Sequence, residues 1–227
     1  MNGAGGPRQL TLDLDHAESY AREDFLGGPS NAAALTLVDS WPDWPNRIVL
    51  LVGPEGSGKS HLAAIWALQA GARSVAARTL RDIDVPAALA TGGLVFEDVA
   101  AADFDETAMF HLLNLAREEG AFVLLTARTA PAAWSVRLPD LASRLNALPV
   151  VALAPPDDAL LRAVLVKLFA DRQLAVDEQV IGYVATHIGR SFSDARAAVA
   201  TLDQEAMARQ RPLTRTLAAE VLRDQAF

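Results

Sequence analysis

Apolar and helical stretches alternate along the middle of the chain. Five short apolar runs recur between residues 48 and 153, at Ile48 to Val52, Arg73 to Ala77, Leu94 to Glu97, Phe122 to Thr126 and Val150 to Leu153. Helical patterning separates them, as at His61 to Ala70 and Thr107 to Glu119. Continuous apolar runs are typical of strands buried on both faces. The alternation predicts an α/β domain with a five-stranded parallel sheet flanked by helices.

The pattern changes after Pro155 and Pro156. Four stretches with helical patterning follow, and Asp157, Ser193 and Thr214 are suited to cap three of them. They are Asp157 to Gln173, Asp177 to Ile188, Ser193 to Arg209 and Thr214 to Arg223. We therefore expect three parts: a flexible tail at residues 1–19, the α/β domain at 20–154 and a small all-α domain at 155–227.

Composition narrows the class of protein. The 227 residues are 51% hydrophobic and 21% charged, which is ordinary for a globular protein. No 18-residue apolar stretch, secretory signal pattern or cysteine occurs, so we expect a cytoplasmic protein without a membrane partner. The net charge is -8 and Lys59 and Lys167 are the only lysines, which argues against autonomous sequence-specific DNA binding. Folding can still assemble a local basic patch.

The strongest chemical signal is LLVGPEGSGKSHL, an apolar strand followed by GxxxxGKS and the start of a helix. This pattern is a phosphate-binding loop, in which glycines let backbone N–H groups surround phosphate oxygens. Lys59 would reach the β and γ phosphates, and Ser60 would place its hydroxyl on Mg²⁺. The segment predicts a bound ATP or ADP, contacted by Gly53, Pro54, Glu55, Gly56, Ser57, Gly58, Lys59, Ser60 and His61.

A second signal is LVFEDV, an apolar strand that ends in Glu97 and Asp98. Acids at the carboxyl edge of a parallel sheet lie where ligands bind. Beside a phosphate-binding loop, Glu97 would hold Mg²⁺ together with Ser60, and Asp98 would polarise an attacking water. In isolation the same pair would be two solvated acids at a strand end.

The order and spacing of these motifs resemble the AAA+ ATPases of the bacterial replication initiator family, DnaA, and within it the shortened regulatory branch, Hda. The resemblance covers nearly the whole chain. It rests on the two motifs above and on EDFLGGPSN at Glu23 to Asn31, LLTARTAP at Leu124 to Pro131, LPDLASRLNAL at Leu138 to Leu148 and SFSDARAAVATLD at Ser191 to Asp203.

The resemblance implies roles for further residues. Phe25 and Leu26 would line the adenine pocket, and Arg196 would reach a phosphate from the helical lid. Arg144 would be an arginine finger, presented in trans to a neighbouring subunit's nucleotide, where it can accelerate hydrolysis roughly 10³-fold or more. For an arginine outside such a motif, a surface salt bridge is the simpler explanation.

Two departures from the family pattern bear on activity. Glu97 stands where the family has aspartate, which moves the metal-facing carboxylate by roughly 1.5 Å. Arg128 occupies a position that is polar or acidic in the family. We expect weak intrinsic hydrolysis, with nucleotide serving mainly to fix the conformation.

The tail contains QLTLDL, in which Gln9, Leu10, Leu12 and Leu14 could enter pockets of a partner. A strand edge is the simpler alternative. The segment resembles the hexapeptide by which this branch binds the DNA polymerase sliding clamp, the β subunit.

The resulting hypothesis is an adaptor that binds the DNA-loaded clamp and stimulates ATP hydrolysis by DnaA, which prevents over-initiation. The chain ends at Phe227 without a predicted helix-turn-helix, and the interval Arg78 to Gly93 is short for the extra helix that initiators use on single-stranded DNA. A helicase-loader-like ATPase motor and a scaffold with a permanently bound nucleotide are the alternatives. Self-association is compatible with each.

Overall fold

The structure is a computed structural model that describes residues 20–99 and 104–223. Gln9, Leu10, Leu12 and Leu14 lie outside the described residues. The proposed docking peptide therefore stays a prediction from sequence.

The centre of the α/β part is a five-stranded sheet in the order β2-β3-β4-β1-β5. Every pair of neighbouring strands is parallel. The strands are β1 Ile48–Val52, β2 Arg73–Ala76, β3 Gly93–Glu97, β4 Phe122–Ala127 and β5 Val150–Ala152. The predicted sheet is confirmed, and strand ends differ from the sequence pattern by one residue at four of the strands.

The described residues form nine α-helices. They are α1 Ala32–Asp39, α2 Lys59–Ala70, α3 Val85–Leu89, α4 Glu106–Glu118, α5 Pro139–Asn146, α6 Asp158–Asp171, α7 Glu178–His187, α8 Phe192–Arg209 and α9 Arg215–Arg223. Sequence patterning did not predict α1, α3 or α5, because each is at most eight residues long and spans barely two turns. The short α3 and a 3-10 segment at Ala77–Asp82 fill the interval before β3.

Both faces of the sheet are covered, and β1 shows how. Ile48, Leu50 and Val52 belong to a cluster with residues of α4 and α5, whereas Val49 and Leu51 belong to a cluster with residues of α1 and α2. All five residues are buried. A strand in this position must be apolar throughout, which explains its unbroken hydrophobic sequence.

Helices α6 to α9 enclose a separate hydrophobic cluster that includes Leu165, Phe169, Val184, Leu202 and Leu217. Within the described ranges, no helix combines the length and the apolar character that crossing a membrane requires. The described residues therefore form one cluster on each face of the sheet and a separate one among the last four helices.

The start of α8 corrects one expectation. Ser193 was predicted as its cap, but Ser191 is the N-cap residue, and its hydroxyl accepts a 3.0 Å hydrogen bond from the backbone N–H of Asp194. Ser193 lies inside the first turn, where its hydroxyl contacts that of Ser191 at 2.9 Å. Both serines suit a cap, and only the backbone conformation, which is extended at Ser191, decides between them.

We expect Ser191→Ala to lower the free energy of unfolding by about 1 kcal/mol, because an N–H of the first turn loses its acceptor. Ser193→Ala is the matched control and should cost less than half as much. Urea denaturation of both variants measures the difference. Equal losses would contradict the assignment of Ser191 as the cap.

Candidate functional site

Close contacts around Gly53 constrain the phosphate-binding loop where it leaves the carboxyl end of β1. The backbone N–H of Gly53 donates to the Ala127 carbonyl at the end of β4, at 3.2 Å. A Cβ atom at Gly53 would lie 2.6 Å from the Leu153 carbonyl oxygen and 2.8 Å from the Ser57 hydroxyl. Only glycine fits between these groups without a shift of the backbone, so the loop starts at a fixed point.

The loop ends at Gly58, the N-cap of α2, in a left-handed conformation with φ 98°. Lys59 and Ser60 follow in the first turn of α2. This twelve-residue helix leaves its first backbone N–H groups without helical partners, and they carry partial positive charge toward the loop. The arrangement suits a phosphate group.

Lys59 is buried, with 6% of its surface exposed. Its ammonium donates to the carbonyls of Gly53 at 2.9 Å and Pro54 at 2.8 Å. Burial lowers the pKa of Lys59, the negative charge of Asp98 opposes that shift, and the positive charge of Arg128 adds to it. The ammonium is thus held over the loop by neutral carbonyls, where an incoming anion would compensate its charge.

The acidic segment after β3 is tied to β4 through Thr126, which is fully buried. The Thr126 hydroxyl accepts from the Asp98 N–H at 3.0 Å, and its carbonyl accepts from the Val99 N–H at 2.8 Å. Asp98 adopts a positive φ of 56°, which is uncommon outside glycine. Glu97 is half-buried at the strand end, and Asp98 is exposed. With the exposed Ser60 hydroxyl, these carboxylates are oxygen donors of the kind that Mg²⁺ prefers, usually with phosphate oxygens completing the shell.

A cavity of about 500 Å³ lies between the α/β part and helices α6 and α8. Its lining includes five residues that the sequence assigned to nucleotide binding: Phe25, Leu26, Gly58, His61 and Arg196. The His61 ring makes edge-to-face contacts with Tyr20 and Phe25, with centroids 5.4 Å and 5.2 Å apart. A cavity with aromatic and aliphatic side chains and a few charged groups, beside a phosphate-binding loop, suits a flat base and its phosphates.

Sequence reasoning missed Lys167, which lies at this cavity together with Asp24 and Asp171. Its ammonium is 2.8 Å from a carboxylate oxygen of each aspartate, so it links α6 to the segment before the loop. Hydrogen bonds to Asp171 and then Asp24 raise the pKa of Lys167. The sequence feature that could have pointed to Lys167 is that the chain has only two lysines.

The helical domain lies directly on the loop. The backbone N–H of Phe192 donates to the Gly56 carbonyl at 2.8 Å. Gly56 has φ 69°, and a Cβ there would lie 2.3 Å from the Ser193 hydroxyl and 2.6 Å from the Ser191 Cβ. The loop and the start of α8 are therefore packed as one unit.

Arg144 lies elsewhere, in the last turn of α5 just before the edge strand β5. It does not line the cavity that holds Arg196. Its guanidinium carbon is 4.8 Å from the centroid of the Phe110 ring. Among residues 20–99 and 104–223, no carboxylate pairs with it. The contact found for Arg144 is thus with Phe110, outside the cavity that Arg196 lines.

A phosphate-binding loop at the edge of a β2-β3-β4-β1-β5 parallel sheet, with the helices α6 and α8 beside it, is the AAA+ P-loop fold. Domain III of the replication initiation protein DnaA from Thermotoga maritima superposes with a TM-score of 0.75 at 21% identity, over 90% of this chain and 96% of that one. AMPPCP-bound DnaA from Aquifex aeolicus superposes with a TM-score of 0.66 at 17% identity, over 85% and 69% of the two chains.

Sequence comparison agrees with the fold. No family model matches the chain. The chain is 23% identical over 239 residues to DnaA of Symbiobacterium thermophilum, covering 90% of itself and 50% of that protein. It is 24% identical over 229 residues to an uncharacterized protein of Haemophilus influenzae, covering 95% and 98% of the two chains. The chain is thus similar to DnaA in sequence and in fold, and it spans about half the length of this DnaA relative.

Gly56 and Gly71 offer a matched pair for testing the contact between loop and lid. Both have positive φ, 69° and 61°, but a Cβ at Gly71 meets nothing within 4 Å. We expect Gly71→Ala to lower the free energy of unfolding by about 1–2 kcal/mol and to leave ADP affinity unchanged. Gly56→Ala should reduce ADP affinity at least about tenfold, because the new methyl group displaces α8 from the loop. Calorimetric titration measures the ADP affinity of both variants. Equal affinities would contradict a role in ADP binding for the contact between Gly56 and the start of α8.

Proposed function

We propose that this chain binds ADP or ATP with Mg²⁺ and acts as an adaptor that inactivates a DnaA-type initiator. The nucleotide part is supported by the loop geometry, by the buried Lys59 and by the apolar cavity next to it. The fold neighbour from Aquifex aeolicus, described as AMPPCP-bound, adds support for a nucleotide at this site.

In this proposal, different residues of the chain contact the phosphates, the base and the metal ion. Backbone N–H groups from Gly58 to His61, at the start of α2, would face the phosphates, and Lys59 and Arg196 would neutralise their charge. Phe25, Leu26 and His61 enclose the base. Ser60 and Glu97 would hold Mg²⁺, which would neutralise phosphate charge, and Asp98 would orient water.

The adaptor part depends on Arg144, and a single observation carries it: a guanidinium held over the Phe110 ring, with no carboxylate partner among the described residues. Arg144 and Phe110 are both half-buried, and a cation over an aromatic ring gains about 0.5–2 kcal/mol, depending on how far it is desolvated. A bidentate pair with phosphate oxygens is considerably stronger. Arg144 is therefore able to leave Phe110 for the nucleotide of a second protein.

The recipient we propose is the initiator DnaA itself, because the chain shares the AAA+ fold of that protein and AAA+ proteins commonly pair through this fold. Glu97 in place of aspartate, and Arg128 in place of a polar residue, favour weak hydrolysis by the chain alone. The main catalytic contribution would then be Arg144, acting on ATP bound to DnaA.

The tail completes the proposal by tying the reaction to replicating DNA. Gln9 would fill a polar subsite of the sliding clamp, and Leu12 and Leu14 an apolar pocket. Burial of two leucines contributes roughly 3–6 kcal/mol before ordering costs. The same proposal places the protein in the cytoplasm, without direct sequence-specific binding of DNA.

Arg144→Ala should leave nucleotide affinity unchanged and lower the stimulation of DnaA ATP hydrolysis by on the order of 10³. Arg137→Ala is the control, since the side chain of this nearby arginine is 92% exposed and its Nε lies 3.6 Å from a Glu106 carboxylate oxygen, while the Arg137 backbone N–H that bonds Glu106 is kept in the variant. Phosphate release is measured with DnaA, a DNA-loaded clamp and each variant. If Arg144→Ala stimulates DnaA ATP hydrolysis as fully as the wild type, Arg144 is not the arginine finger. Substantial turnover by the wild-type chain alone would favour an ATPase motor instead.

Replacing Gln9, Leu12 and Leu14 with alanine should weaken clamp binding at least about 100-fold, as expected when two buried leucines are lost. The control replaces Thr11 and Asp13, the alternate positions of the same segment, and should bind as the wild type does. Surface plasmon resonance on immobilised clamp provides the affinities. If the triple variant binds the clamp as the wild type does, the proposed role of the tail in clamp binding is wrong.

A further inference from the structure

The carboxylate of Glu106, the first residue of α4, holds the chain where α5 begins. The backbone N–H of Arg137 donates to both carboxylate oxygens, at 3.1 Å and 3.2 Å, and the N–H of Leu138 donates to Oε2 at 2.9 Å. The Glu106 side chain is only 13% exposed. The bonds from Arg137 and then from Leu138 lower the pKa of Glu106, so its carboxylate is ionised at neutral pH.

Helix α5 needs this carboxylate because it has no side-chain cap of its own. Its N-cap residue is Leu138, whose aliphatic side chain cannot accept a hydrogen bond, and Pro139 follows as the first helical residue. With eight residues, the helix is too short to be stable without contacts from the rest of the fold. A negative charge at its N-terminal end is also favourable to the helix dipole. The place where α5 begins is therefore set by α4.

The other end of α5 contacts the same helix. Arg144 lies in the last turn of α5, and its guanidinium carbon is 4.8 Å from the centroid of the Phe110 ring. Phe110 follows Glu106 by four residues, so both side chains lie on one face of α4. Glu106 and Phe110 thus hold the two ends of α5.

We propose that Glu106 is a positioning residue for the arginine finger: by holding the start of α5 on α4, it determines where Arg144 is presented to the nucleotide of a second protein. The inference rests on the proposed function, because it concerns the finger of that proposal. It gives Glu106 no contact with a nucleotide and makes its effect act through Arg144.

The bonds to Glu106 matter most when the finger is engaged. Arg144 has to leave Phe110 to reach a phosphate, and Glu106 still holds the start of α5 at that moment. Leu141 and Leu145 bury α5 in the cluster below the sheet, but apolar contacts are non-directional and do not fix its orientation. A displacement of about 1 Å at a group that acts on the reaction can cost about 100-fold in rate.

The test titrates DnaA and a DNA-loaded clamp with each variant and measures phosphate release. We expect Glu106→Ala to lower the maximal stimulation about 10- to 100-fold. The concentration for half-maximal stimulation and the ADP affinity should change less than about threefold, because Glu106 touches neither ligand. Glu106→Gln keeps one acceptor oxygen and should retain more stimulation. Glu118→Ala, at an exposed position near the other end of α4, is the control and should behave as the wild type does.

A double variant separates positioning from helix stability. Leu138→Ser gives α5 a cap of its own, because the new hydroxyl can accept from an N–H of the first turn without contacting α4. Combined with Glu106→Ala, it should raise the melting temperature above that of Glu106→Ala alone. Maximal stimulation should stay low relative to Leu138→Ser alone. Recovery of the stimulation would overturn the inference, since the stability of α5 would then be sufficient.

Full maximal stimulation by Glu106→Ala, or a change confined to the half-maximal concentration, would overturn it as well. These results are distinguishable from failure of the proposed function. If the wild type does not stimulate DnaA, or Arg144→Ala stimulates fully, the proposed function is wrong and the inference with it. If Arg144→Ala loses stimulation while Glu106→Ala keeps it, only the role of Glu106 is wrong.

Discussion

Burial of β1 on both faces is the constraint on which the rest of the site depends. All five residues are buried, and the strand pairs with β4 on one side and β5 on the other. Its carboxyl end therefore has a fixed position, from which the chain can continue only through a residue without a side chain, Gly53. That position in turn determines where the loop, the Lys59 ammonium and the start of α2 lie. A shift of β1 would move every phosphate contact at once.

Helices α6 and α8 contact the α/β part at several places, and two of these contacts lie beside the proposed nucleotide site. Phe192 is hydrogen-bonded to Gly56 in the loop, and Lys167 is paired with Asp24 at the far side of the cavity. Neither contact belongs to a hydrophobic core, since the two parts of the chain have separate apolar clusters. Polar contacts in a solvent-accessible cleft are weaker than core packing, and they can be exchanged for contacts with a ligand. The junction is thus suited to respond to what occupies the cavity.

Three arginines have the same side chain but lie in different surroundings. Arg196 lines the cavity on α8, Arg128 is paired with Glu55 at the loop, and Arg144 lies over Phe110 near the edge strand. The first lines the cavity next to the loop, and the second is paired with a residue of the loop itself. The third is outside the cavity and lacks an acidic partner among the described residues. The sequence resemblance had already separated Arg196 from Arg144, whereas the contacts of all three come from the tertiary structure.

Much of the fold and part of the site could be predicted from sequence for physical reasons. Strands buried on both faces require unbroken apolar runs, so β1, β3 and β4 were recognisable, and the loop was recognisable because phosphate binding requires glycines at fixed positions. The short helices α1, α3 and α5 were missed, since tertiary packing rather than local periodicity stabilises them. The cap of α8 was misplaced by two residues because two serines of equal propensity lie there.

The sequence by itself determined the class of protein and the phosphate-binding chemistry, because both depend on local spacing along one strand, one loop and one helix. Only the tertiary structure decided which distant residues meet: Lys167 with Asp24, Phe192 with Gly56, and Arg128 with Glu55. Such contacts follow from how two hydrophobic cores are oriented, and no local pattern encodes that orientation. For the same reason, the sequence named Arg144 as a candidate, whereas its contact with Phe110 is a property of the fold.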